Sequence, residues 1–160
     1  MTRDELHIKP PGRVVIMGMG NLLLKDEGVG VHVICALKEK NDLPENVELV
    51  DAGTAALDVL QMLSDVDKLI VIDAVKGGCE PGTLYKFKPS DIRSANRTIT
   101  SLHQLGLIEA LSIVERLGKA LNDVTIIGIE PKEIEIGLEL SSEIAEKIPK
   151  IIQLVREMII

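Results

Sequence analysis

The sequence predicts an α/β fold on a largely parallel sheet, and three observations carry that prediction. Val14-Val15-Ile16-Met17 and Leu69-Ile70-Val71-Ile72 are unbroken apolar runs, the mark of strands buried on both faces. Segments of helical spacing separate the apolar runs, giving a βαβαβ rhythm that folds with right-handed crossovers. The length, 160 residues, suits a single core with a radius of gyration of roughly 15 Å.

In chain order, a polar start ending in Pro10-Pro11-Gly12 reads as a tail over residues 1–12, with the domain over 13–160. A first strand lies at Val14 to Met17, a helix at about Val29 to Lys38, a second strand at Val47 to Val50, and a helix at about Ala55 to Leu63. The third strand is Leu69 to Ile72. Pro81-Gly82 is a turn signal, and Thr83 to Phe87 alternates behind it, so a short half-exposed strand at a sheet edge, antiparallel to its neighbour, is expected there. Ser101 and Gln104 have capping-box spacing before a long helix whose Leu105, Ile108, Leu111 and Leu117 recur at helical intervals. A last strand, Val124 to Ile129, precedes a terminal helix that buries Ile144, Ile148, Ile151, Ile152, Val155 and Ile159, with a kink expected at Pro149.

Composition removes several functions. The chain has no Trp, one Tyr and one Phe, so it offers no aromatic platforms for bases or sugars. A net charge of −7, with no basic block to track phosphates, makes nucleic acid an unsuitable partner. No run reaches the roughly 18 apolar residues of a membrane span, and Asp4 and Glu5 stand where a signal peptide would be apolar, so a cytoplasmic protein without membrane insertion is expected. Cys35 and Cys79 have no CxxC spacing and read as reduced, structural thiols.

In an open α/β sheet the loops leaving the carboxyl ends of two diverging strands frame a crevice. With strand order 2-1-3 these are the loops after strands one and three. The first carries Gly18-Met19-Gly20-Asn21 and Asp26-Glu27-Gly28; the other begins at Asp73. Asp26 reads as a cap for the helix that follows, which leaves Glu27 to face the crevice. His103, near the start of the long helix, sits where the helix dipole favours neutral imidazole, a form able to ligate metal. Glu27, Asp73 and His103 make a borderline ligand set suited to Ni²⁺, Zn²⁺ or Fe²⁺, with positions left open for a substrate's own ligands. Spacing alone leaves Asp73 readable as an ordinary loop carboxylate and His103 as a solvated side chain, the commoner state of a lone His near a helix start.

Other motifs carry less. Gly18-Met19-Gly20 lacks the third glycine of GxGxxG, and Asp26-Glu27 would face a dinucleotide's pyrophosphate. GxSxG, HExxH and P-loop patterns are absent. His32, among Val31, Val33 and Ile34, reads as structural.

Gly18-Met19-Gly20-Asn21-Leu22-Leu23-Leu24-Lys25-Asp26-Glu27-Gly28-Val29-Gly30 resembles the opening motif of the [NiFe] hydrogenase maturation endopeptidases. Asp51-Ala52-Gly53-Thr54, Ile72-Asp73-Ala74-Val75, Pro81-Gly82-Thr83-Leu84, Ser101-Leu102-His103-Gln104 through Leu107, and Gly128-Ile129-Glu130-Pro131 match later family motifs in order. The resemblance implies a single-domain three-layer α/β/α sandwich around a twisted, mostly parallel five-stranded sheet. It implies an aspartyl-type endopeptidase that removes the C-terminal extension of a hydrogenase large-subunit precursor after nickel insertion. Glu27, Asp73 and His103 correspond to the family's nickel-recognising acid, acid and histidine, and Glu27 and Asp73 are the catalytic candidates. Nickel then arrives with the precursor, and another divalent metal can occupy the same groups. The rival reading is a non-catalytic nickel-sensing assembly factor.

Two positions are individual to this chain. Ala52 replaces a second glycine and is expected to alter loop shape, and Gly77-Gly78-Cys79-Glu80 is a loop in which Cys79 gains exposure. The glycines at 18–20 and 77–78 are expected to let an extended substrate tail approach the backbone.

Overall fold

The computed structural model describes residues 12–94, 102–119 and 121–159. Five strands form one sheet: β1 (Val14–Met19), β2 (Val47–Gly53), β3 (Lys68–Ala74), β4 (Leu84–Phe87) and β5 (Val124–Ile129). Their order is β2-β1-β3-β5-β4, parallel except for β4, which pairs antiparallel with β5 at the sheet edge. The 2-1-3 order and the antiparallel edge strand are those the sequence predicts. Residues 1–11 of the expected tail lie outside the described residues.

Six helices are described: α1 (Val29–Lys40), α2 (Ala56–Met62), α3 (Pro89–Ser94), α4 (Leu102–Arg116), α5 (Ser142–Ala145) and α6 (Ile148–Met158). Strand alternation divides the core between the two faces of the sheet. Ile16, Ile70, Ile72, Ile127 and Ile129 pack with α1, α5 and α6 on one face. Val15, Met17, Leu69, Val71 and Ile126 pack with α2 and α4 on the other. The central strands are buried throughout, as their continuous apolar runs require.

Local chemistry changed three expectations. Pro149 does not kink a continuous helix: it occupies the first turn of α6, where its missing N–H would be unpartnered anyway, and α5 is a separate short turn before it. α3 carries no apolar period and was not foreseen, although Pro89 at its first position and Asp91, whose carboxylate accepts the Lys88 N–H at 2.8 Å, are start signals. Cys35 and Cys79 are free but exposed, so neither is a packing residue, and the exposure expected for Cys79 holds. The Ser101–Gln104 capping pair lies outside the described residues.

The first turn of α1 is pressed against the sheet. A Cβ on Gly30 would stand 2.1 Å from Ile72 O and 2.4 Å from Met19 O, and one on Gly18 would stand 2.3 Å from Gly30 O. Helix and strands therefore meet backbone to backbone. Gly30→Ala is expected to destabilise the chain by about 3 kcal/mol or more in urea unfolding, because carbonyl oxygens rather than flexible side-chain ends must move.

Candidate active site

The strand order puts the switch point, where the crevice of such a sheet lies, at the carboxyl ends of β1 and β3. Asp73, next to last in β3, is 1% exposed, on the face of Leu69 and Val71 that α2 and α4 cover. Its Oδ1 accepts the Ala74 N–H at 2.8 Å, whereas Oδ2 is buried without a hydrogen-bond partner among the described residues. Burial lifts its pKa to about 7; the Ala74 N–H opposes the rise, and the charge of Glu27 adds to it. The repulsion from Glu27 places the two carboxylates within electrostatic reach across the crevice.

Glu27 is half-buried in a short 3₁₀ turn, Lys25–Gly28, that feeds directly into α1. Its backbone is held from below: a Cβ on Gly20, whose φ is +133°, would meet Glu27 O at 1.9 Å. Gly28, not Asp26, is the residue preceding α1, and it makes no side-chain cap.

Asp26 does something else. Its fully buried carboxylate accepts four hydrogen bonds from the loop after β5: from Lys132 N–H at 3.0 Å, Glu133 N–H at 2.8 Å, Ser141 N–H at 2.8 Å and Ser141 Oγ–H at 2.7 Å. Burial alone would raise its pKa, but donation from Glu133, Ser141 and Lys132 outweighs burial and lowers it. Asp26 thus latches the loop over residues 131–141 onto the turn that carries Glu27.

Glu130, at the end of β5, organises the loop after β3. Its carboxylate accepts Gly77 N–H at 2.7 Å, Gly78 N–H at 3.1 Å and Tyr85 Oη–H at 3.3 Å. Burial, a hydrogen bond with Cys79 and the Glu130 charge together push the Tyr85 phenol well above its usual pKa. The spaces beside Gly18, Gly20 and Gly77 are filled by the chain itself, at Gly77 by the Tyr85 ring; of the glycines expected to line a tail groove, Gly78 faces open space. Ala52 is buried in the α2/α4 core, and the positive φ of its turn, +50°, falls on Gly53. His32 is half-buried on α1, and its Nε2 has no hydrogen-bond partner among the described residues.

His103 is the second residue of α4, and its side chain lies outside the described residues. α4 leads into the amino end of β5, so it runs antiparallel to the strands beneath it. At about 1.5 Å per residue its 15 residues span roughly 22 Å, close to the length of the strands. Its first turn therefore lies toward the carboxyl ends of the sheet, the end that holds Asp73. Among the described residues no set of three metal-ligating side chains converges.

Comparison with known proteins places this geometry in context. The family model HycI, hydrogenase maturation protease, matches residues 31–158. The chain is 37% identical over 151 residues to the hydrogenase expression/formation protein HupD of Rhodobacter capsulatus, covering 92% of this chain and 72% of that protein. It is 35% identical over 129 residues to the hydrogenase 2 maturation protease of Escherichia coli, covering 79% of each. Its fold superposes on the hydrogenase maturating endopeptidase HybD from E. coli with a TM-score of 0.79 at 31% identity, covering 89% of both chains.

Two outcomes follow from the opposed environments of the carboxylates. Asp26→Ala strands several buried donors and is expected to lose about 3–5 kcal/mol of stability. The stability from Asp26 is present above the ordinary value of 3.8 and lost as pH falls through the depressed folded value, so the stability gap between wild type and the variant should narrow as pH falls below about 4 in urea unfolding. For Asp73 the sign reverses. The protonated form favours folding below 3.8, and that contribution is lost as pH rises through about 7. Asp73→Asn, which keeps an acceptor for Ala74 N–H, should melt above wild type by about 2–4 °C per kcal/mol, the gap widening from about pH 4 to about pH 8. A constant gap across that range in thermal melts would refute the burial of an unsatisfied carboxylate.

Proposed function

The chain belongs to the hydrogenase maturation protease family, and on that premise we propose that it removes the C-terminal extension of a [NiFe] hydrogenase large-subunit precursor after nickel has been inserted. It is an endopeptidase by its family and relatives, and the reading as a non-catalytic assembly factor gives way on that ground. Nickel in this scheme is cargo of the substrate, held by the precursor's own thiolates, and Glu27, Asp73 and His103 complete its coordination when the tail docks.

The observation that carries the reading is Asp73 Oδ2, a buried carboxylate oxygen without a hydrogen-bond partner among the described residues and within the field of a second carboxylate. A divalent cation would favour the ionised form of Asp73 and offset the repulsion from Glu27. A resident cation is not required, since Asp73 can remain protonated near neutral pH until the loaded precursor arrives. Nickel held by these residues would supply a charge to polarise the scissile carbonyl or would position the tail, while Glu27 or Asp73 serves as the base that activates water. Two free cysteines accord with action in the cytoplasm.

The test is a processing assay with purified protein and precursor, read by product mass. Nickel-loaded precursor is expected to be shortened and nickel-free precursor to remain whole. His103→Ala should slow processing by about a hundredfold or more, beyond the roughly 10- to 100-fold that loss of an outer-shell partner costs. Equal cutting of loaded and nickel-free precursor would remove nickel from the reading, and full activity of His103→Ala would remove His103 from the site.

A further inference from the structure

Exposed apolar side chains gather on a ledge beside Glu27. Leu22 and Leu23, in the loop after β1, are 39% and 61% exposed; Ile136 and Leu138, in the loop after β5, are 89% and 68% exposed. The two loops are joined as a short parallel pair. Leu24 bridges Gly137, the Gly137 N–H donates to Leu23 O at 2.9 Å, and the Lys25 N–H donates to Gly137 O at 3.0 Å. That register sets Leu23 against Ile136 and Lys25 against Leu138. Leu22 also abuts the turn that carries Glu27: a Cβ on Gly28 would meet Leu22 Cα at 3.0 Å.

The ledge has a rigid seat. The Asp26 hydrogen bonds fix one loop to the other, and Lys25 Nζ reaches Glu133 at 2.9 Å and Glu135 at 3.1 Å. The Lys25 stem fills the space beside Gly137, where a Cβ would meet its Cγ and Cε at 2.9 Å. Apolar groups held outward on a fixed support gain nothing from the chain's own fold, and contiguous patches of this kind mark interaction sites.

We infer that Leu22, Leu23, Ile136 and Leu138 form a docking ledge for an apolar segment, flanked by Lys or Arg, on the body of the hydrogenase precursor; this rests on the function proposed above. Two observations choose that occupant. The ledge is continuous with the turn bearing Glu27, so a protein seated on it presents its tail to the crevice. Glu139 stands exposed on the same loop, as does Glu135 beside its ion pair with Lys25, in a chain with net charge −7, which favours a basic rim on the partner. A second copy of this chain would instead bring the same acidic loop toward itself.

The test measures binding of nickel-loaded precursor to the full chain by calorimetry, with processing rates and sedimentation alongside, for wild type and Ile136→Ser/Leu138→Ser. Both positions are exposed, so the melt should match wild type; Ile136→Asp alone is a second variant should the pair fold poorly. Affinity is expected to fall about tenfold or more, appearing in KM while kcat holds. Affinity within about twofold of wild type in a folded variant overturns the ledge and leaves the protease reading intact. So does a wild-type dimer that the substitutions dissociate without change in precursor affinity. Wild-type protein that neither binds nor cuts loaded precursor overturns the proposed function, and the occupant of the ledge with it.

Discussion

Helix α1 can reach the sheet only because two glycines lie where it lands. With Gly30 O close to the Cβ position of Gly18, and Ile72 O and Met19 O close to that of Gly30, the helix start rests on the carboxyl ends of β1 and β3 with no side chain between. The 3₁₀ turn ahead of α1 is thereby drawn over the end of β3, and Glu27 comes within the field of Asp73. Any side chain at this contact would push the turn outward and separate the two acids that the crevice depends on. The sheet order matters for the same reason: β1 and β3 are neighbours whose following loops diverge, so the gap between them opens at their ends.

Two aspartates in adjoining segments then behave in opposite ways. Asp26 and Asp73 are both almost inaccessible, yet one pKa moves down and the other up. The difference is the number of donors. Four hydrogen bonds repay the desolvation of Asp26, whereas Asp73 receives one and faces a like charge. Asp26 is therefore a structural anion and Asp73 an unfinished one. Pairs of acids whose surroundings drive their protonation apart are how folds separate scaffold from chemistry.

The sheet was readable because burial on both faces leaves continuous apolar runs in β1, β3 and β5, and the edge position of β4 followed from its alternation and turn. Asp73 was readable through topology, as the residue that ends such a run. The role of Asp26 was not, because its partners at Lys132, Glu133 and Ser141 lie more than a hundred residues away and nothing local distinguishes a latch from a cap. The glycines misled for a related reason: sequence shows that a side chain is missing but not which atoms use the space, and at Gly18, Gly20 and Gly77 those atoms belong to the chain itself. Pro149 was placed correctly in a helical segment and misjudged only in its position along the helix.

On the proposed reading, in which the metal arrives with the substrate, the site has a recognition problem, and the latch bears on it. Two carboxylates and one imidazole, with one carboxyl protonated near neutrality, supply little affinity by themselves. Selective cutting then needs the tail brought to the crevice by contacts elsewhere, so that ligation becomes an intramolecular event at high effective concentration. Asp26 joins the two requirements in one side chain. It fixes the turn that aims Glu27 and, through Ser141, Glu133 and Lys132, fixes the loop that holds Ile136 and Leu138 outward. The proposed docking ledge and the Glu27 turn thus share a single rigid support, and the distance between them is set by the latch rather than by a substrate's flexible tail.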